Sequence, residues 1–151
     1  ILKVADEQSK FSKRSVPYLL AKSKKKLGEN VYSLGYPQDE VVYNEGYISS
    51  INGYLGDSSQ YRLELPANHG QSGAPVVNTR GEVIAIITGK ESESEGTTYA
   101  ISSEALLQLI KDLPDSTNIN MPRSNRLSRL SREKQIERLS QYTCAIKVYK
   151  K

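Results

Sequence analysis

The sequence predicts a mostly-β chain: a six-stranded, closed antiparallel barrel with a C-terminal helix and then a helix-strand tail. Three observations carry that reading. Short alternating or β-branched segments recur at roughly ten-residue spacing between residues 30 and 101, the rhythm of a small barrel rather than of βαβ units. Gly, Pro and Asn punctuate the segments. Apolar residues take up helical spacing only after the last strand, at Leu106, Leu107, Ile110 and Leu113.

Taken in order, Ile1-Leu2-Lys3-Val4 reads as the end of a strand that began upstream. A polar connection over residues 6–15 follows, then an exposed basic turn at Ser23-Lys24-Lys25-Lys26. Residues 30–37 alternate and stop at a Gly/Pro break. Residues 40–52 form a long strand in which Gly46 marks a bulge or barrel corner. Residues 61–65 alternate cleanly. Residues 73–78 and 82–88 make a hairpin across Thr79-Arg80-Gly81, and residues 97–101 are the last strand before the 103–113 helix, capped by Ser102 or Ser103. Residues 114–126 are a polar linker. Ser131 caps a short helix from Arg132 to about Tyr142, with Ile136 and Leu139 inward and Leu127 and Leu130 out of phase with that face. Residues 143–149 (TCAIKVY) read as a final strand supplementing a β edge, with Ile1–Val4 as a candidate partner and Cys144 as a buried structural thiol.

A chain of 151 residues suffices for one domain with a real core, and 37% hydrophobic content points to solvated extensions beside it. One cysteine excludes a disulfide framework, and with one histidine it cannot build a zinc site, so neither metal nor cofactor is expected. No apolar run approaches the roughly 18 residues of a membrane span, and the first residues are not a signal peptide. The net charge of +4 is uneven, because nine Lys/Arg from Met121 onward face only Glu133 and Glu137. Without interleaved aromatics or a nucleic-acid motif, that run reads as a solvated helix, and nucleic acid is not an expected partner.

The most informative stretch is His69-Gly70-Gln71-Ser72-Gly73-Ala74-Pro75, which contains the only histidine. Glycines on both sides of a serine let the backbone turn tightly enough for two N–H groups to point at one spot. Such a serine is a weak nucleophile until a base takes its proton. This chain offers the nucleophile frame without an obvious base.

Further matching pieces appear in order: Gly28-Glu29-Asn30-Val31 with Gly35-Tyr36-Pro37, Glu45-Gly46-Tyr47-Ile48-Ser49, Gly70 to Asn78, Gly81 to Ile86, and Tyr99-Ala100-Ile101-Ser102. From about Val16 to Leu113 the chain resembles the second β-barrel of trypsin/chymotrypsin-like serine proteases, nearest the bacterial HtrA-like branch. The resemblance implies that a first barrel, carrying the catalytic histidine and aspartate, precedes this chain. Residues 1–28 would then be its end and the inter-barrel connection, residues 29–113 the second barrel with its helix, 114–126 a linker and 127–151 a basic helix-strand tail.

The resemblance assigns Ser72 as nucleophile and the N–H groups of Gly70 and Ser72 as the oxyanion hole. It places Ile87, Thr88 and Gly89 along the substrate and the wall of the specificity pocket, with Pro66, Ala67 and His69 opposite. Gln71 stands where trypsin has an acid that pairs with a new amino terminus, so activation of that kind is not implied. His69 suits cleft lining better than the role of base, which requires a bond to Oγ and a third, orienting group. Pro66 replaces a pocket-floor carboxylate, which argues for an uncharged, small-to-medium P1 residue unless Glu91, Glu93 and Glu95 supply the charge. The expected partners are a polypeptide substrate and the missing barrel, with an oligomer possible and membrane contact only through an unseen N-terminal segment. The expected location is the bacterial periplasm or outside the cell. The isolated chain is expected to be inert as a protease. The competing reading is a non-catalytic barrel that binds peptide in the same cleft.

Overall fold

Six strands close on themselves through antiparallel pairs alone. In the computed structural model, which describes residues 16–90, 96–114, 119 and 121–150, they are β1 (Asn30–Gly35), β2 (Val42–Ser50), β3 (Gln60–Glu64), β4 (Pro75–Asn78), β5 (Val83–Lys90) and β6 (Thr97–Ser102). Their order around the barrel is β1-β2-β3-β6-β5-β4, and β1 pairs with β4 to complete the circle. This is the predicted barrel. The strand ends differ from expectation by a few residues, where turns take over the backbone hydrogen bonds.

At Gly46 the neighbouring strand comes close: a Cβ there would stand 1.8 Å from the Glu64 carbonyl oxygen, so only hydrogen fits, while the irregularity in β2 falls between Ile48 and Ser50. The β4–β5 hairpin turns at Gly81, whose φ is +75°. Asn78 Oδ1 accepts the N–H of Arg80 at 3.1 Å and of Glu82 at 3.0 Å, pinning that turn from inside.

β1 is buried on both faces because two apolar clusters meet on it. Val31 belongs to the barrel interior with Ile48, Leu63, Val76 and Ile84. Tyr32 and Leu34 point outward and join Val77, Val83, Leu127 and Leu139. α1 (Ser103–Lys111) starts from Ser102, whose hydroxyl accepts the Ala105 N–H. α2 (Arg132–Ser140) is capped by Ser131 in the same way. It lies outside the barrel, anchored by Gln135, which is only 1% exposed. Gln135 Oε1 accepts the Tyr32 hydroxyl at 2.9 Å, and Nε2 donates to the carbonyls of Thr79 (3.2 Å), Leu127 (3.1 Å) and Leu130 (3.4 Å). The Arg132 guanidinium lies 4.1 Å above the Tyr32 ring. Leu127 and Leu130 precede the helix, as their phase requires, yet both pack on the outer cluster.

Three expectations are corrected. Residues 143–149 form no strand, and Ile146, Val148 and Tyr149 are 67%, 86% and 84% exposed. Closure of the barrel leaves no β edge beside them; the proposed partner, Ile1–Val4, lies outside the described residues. Cys144, expected to be buried, is exposed for the same reason. The basic turn is not simply solvated: Lys25 Nζ lies 2.9 Å from Glu82 Oε2 with both side chains largely buried, and Lys24 Nζ donates to the carbonyl of Ile51. The 6–15 connection and the Glu91–Glu95 loop fall outside the described residues.

Candidate active site

The turn from Pro66 to Ala74 connects β3 to β4 and presents Ser72 and His69 to solvent. Its shape is set by backbone bonds. Gln71 N–H donates to the Asn68 carbonyl (3.2 Å), Ala74 N–H to the Gln71 carbonyl (2.9 Å) and Gly73 N–H to the Ile87 carbonyl on β5 (2.7 Å). Gly70 and Gly73 adopt φ of +91° and +89° on either side of Gln71 and Ser72, a conformation that costs L side chains strain. At Gly70 a Cβ would also crowd Pro37 at 3.2 Å. Gln71 points the opposite way from Ser72: it is buried, and its Oε1 accepts the Asn68 N–H at 2.6 Å.

Among the described residues, the N–H groups of Gly70 and Ser72 donate to no protein acceptor and Ser72 Oγ has no hydrogen-bond partner. The turn therefore offers an exposed hydroxyl beside two uncommitted N–H donors, the elements needed to hold a developing oxyanion. No hydrogen bond joins His69 to Ser72 among the described residues.

The other predicted site residues flank this turn. Ile87 is buried and receives the turn on its backbone, its own N–H donating to Ala74 at 2.9 Å. β5 runs on to Lys90 past its last β4 partner, paired there with β6. Thr88 is exposed, its hydroxyl on the Tyr99 carbonyl at 3.2 Å, and Gly89 is half-buried. Pro66 is exposed, and Ala67 packs against the interior cluster.

On the other side of Ser72 lies a cavity of about 770 Å³. Gly70 and Ser72 form part of one wall, with Pro37, α1 residues Leu106 and Ile110, and tail residues from Tyr142 to Lys147 around the rest. Its charged lining residues are Asp39 and Lys147, an exposed pair 3.5 Å apart. The sequence reading missed this cavity. No local pattern brings residue 142 beside residue 72; only the docking of α2 does. Burial and the neighbouring Tyr142 push the hydroxyl of Tyr18, also on the wall, above the ordinary tyrosine range. No group of His, Cys, Asp and Glu able to hold a metal occurs among the described residues.

The family model of the trypsin-like peptidase domain matches residues 1–86. Among curated proteins, the chain is 30% identical over 113 residues to the serine protease Do-like HtrB of Bacillus subtilis, covering 66% of this chain and 25% of that protein. It is 26% identical over 106 residues to the uncharacterized protein y4bJ of Sinorhizobium fredii, covering 67% and 15%. Solved structures with the same fold include the inactive form of the Rv3671c protease of M. tuberculosis (TM-score 0.52, 24% identity, 63% of this chain and 54% of that one). Another is the HtrA-type protease AlgW, solved with a decapeptide (TM-score 0.56, 22% identity, 65% and 32%). The chain thus spans a quarter or less of the curated relatives and about a third to a half of these structures.

Proposed function

The chain belongs to the trypsin-like peptidase family, and from that premise we propose that it is the nucleophile-bearing half of a serine endopeptidase. The observation that carries this reading is Ser72, exposed between two positive-φ glycines beside the uncommitted N–H groups of Gly70 and Ser72. Ser72 Oγ attacks the scissile carbonyl, its proton passing to a base, while the two N–H groups hold the oxygen that becomes negative. The C–N bond then breaks, the amine leaves with that proton, and water hydrolyses the Ser72 ester. Histidine and aspartate come from a preceding barrel. The β5 segment beyond Ile87 supports an extended peptide next to Ser72, consistent with a polypeptide substrate. Pro66 in place of a carboxylate favours an uncharged P1 side chain. By its resemblance to HtrA-like proteases, the protein works in the cell envelope or outside the cell.

Fluorophosphonate labelling tests the proposal on this chain and on the same chain extended to include its upstream region. The extended protein should label at Ser72, and the 151-residue chain should label slower by orders of magnitude, since base and orienting acid are lost together. No labelling of the extended protein would favour a non-catalytic peptide-binding barrel. Fast labelling of the short chain would place a base within it, with His69 the first residue to mutate.

A further inference from the structure

Among the described residues, three buried side-chain polar atoms have no hydrogen-bond partner: Ser33 Oγ, Asn44 Nδ2 and Gln71 Nε2. They converge. Ser33 and Asn44 are directly opposed across the β1–β2 pair, so their side chains share a face. That face is the barrel interior, because Val31 and Ile48, on the same alternation, belong to the interior cluster. Gly35 follows two residues after Ser33 on this face. A Cβ there would lie 3.1 Å from Gln71 Cγ and 3.4 Å from Gln71 Nε2. The three atoms therefore lie on the interior side at one end of the barrel, under the turn that presents Ser72, where Gly35 leaves the place of a side chain to Gln71.

We propose that Ser33, Asn44 and Gln71 form a buried water-binding site, and that Gln71 is through it a positioning residue for the nucleophile turn. One water accepts from Gln71 Nε2 and Asn44 Nδ2 and donates to Ser33 Oγ, within the two to four polar partners a buried water requires. With both ends of its amide held, Gln71 keeps its Oε1 on the Asn68 N–H and so fixes the segment that aims the Gly70 and Ser72 N–H groups outward. The water site stands on burial and register alone; only its effect on Ser72 reactivity rests on the proposed function.

The isosteric pair Ser33→Val and Ser33→Thr tests this in the protein carrying its upstream region. In the unmutated protein the Gln71 side-chain amide protons should show NMR cross-peaks to a long-lived water. Ser33→Val should abolish them and slow fluorophosphonate labelling of Ser72 about tenfold, with KM for a peptide substrate unchanged. Ser33→Thr, equal in volume, should restore both. Absence of the cross-peaks in the unmutated protein, a protein group seated on the three atoms, or equal behaviour of the Val and Thr variants overturns the inference. If Ser72 takes no label in any form, the proposed chemistry fails, and the cross-peaks and their loss in Ser33→Val alone decide the water site.

Discussion

Gln135 and Gln71 are both 1% exposed, yet they sit in opposite hydrogen-bonding situations. Gln135 meets protein partners at both ends of its amide and joins β1, the β4–β5 turn and the approach to α2. The Gln71 side-chain amide meets one protein partner three residues away, and its amino group meets none among the described residues. The first arrangement is a lock between distant parts of the chain. The second holds a short loop from within through a single side-chain bond. A buried amide satisfied entirely by protein contributes to global stability; one satisfied in part contributes mainly to local geometry.

Gln135→Leu should break this comparison most forcefully. It strands the Tyr32 hydroxyl and several carbonyls in an apolar cluster, and we expect a loss of about 3 kcal/mol by denaturant unfolding. Gln71→Met should cost only about 1 kcal/mol in the same assay, since one hydrogen bond is lost while an amino group that lacked a protein partner also disappears. A loss at Gln71 equal to that at Gln135 would erase the distinction.

The turn that receives Gln135 carries its own electrostatic anchor. Burial alone would raise the Glu82 carboxyl, but hydrogen bonds from Lys25, Asn78 and Arg80 outweigh it and hold its pKa at about 2. Because the folded pKa lies below the unfolded one, the stabilisation is present above about pH 4.5 and is lost as pH falls toward 2. Allowing for solvent screening, acid titration should reveal about 1 kcal/mol that Glu82→Gln removes from the pH dependence. The smallest effect is expected from deleting residues 144–150, which are exposed and unpaired by any strand: the unfolding midpoint should shift by less than about 0.5 kcal/mol equivalent.

The barrel was legible because alternation, glycine and proline punctuation and the β4–β5 hairpin turn are local signals spread along the six strands. The Gly70–Gly73 frame was legible for the same reason. The lock was not. Residues 132–140 look like a solvated helix, and nothing in a polar residue such as Gln135 announces that Tyr32, more than a hundred positions earlier, will cover it. Residues 143–149 failed in the opposite sense: β-branched alternation records a tendency to pair but says nothing of whether an edge is left to pair with. Gln71 was visible only as a departure from an acid, since its packing against Gly35 is a property of the assembled barrel.

The lock also orders events in time. Tyr32 and Thr79 stand side by side only after β1 has paired with β4, a contact between residues about 45 positions apart in sequence. Because α2 gains its Tyr32 and Thr79 partners only with that closure, we expect it to dock late, with those bonds absent from the folding transition state. Weakening Gln135 should then leave the refolding rate nearly unchanged and appear almost wholly as faster unfolding. On that expectation the tail would act as a latch on an already folded barrel, setting how long the closed state lasts.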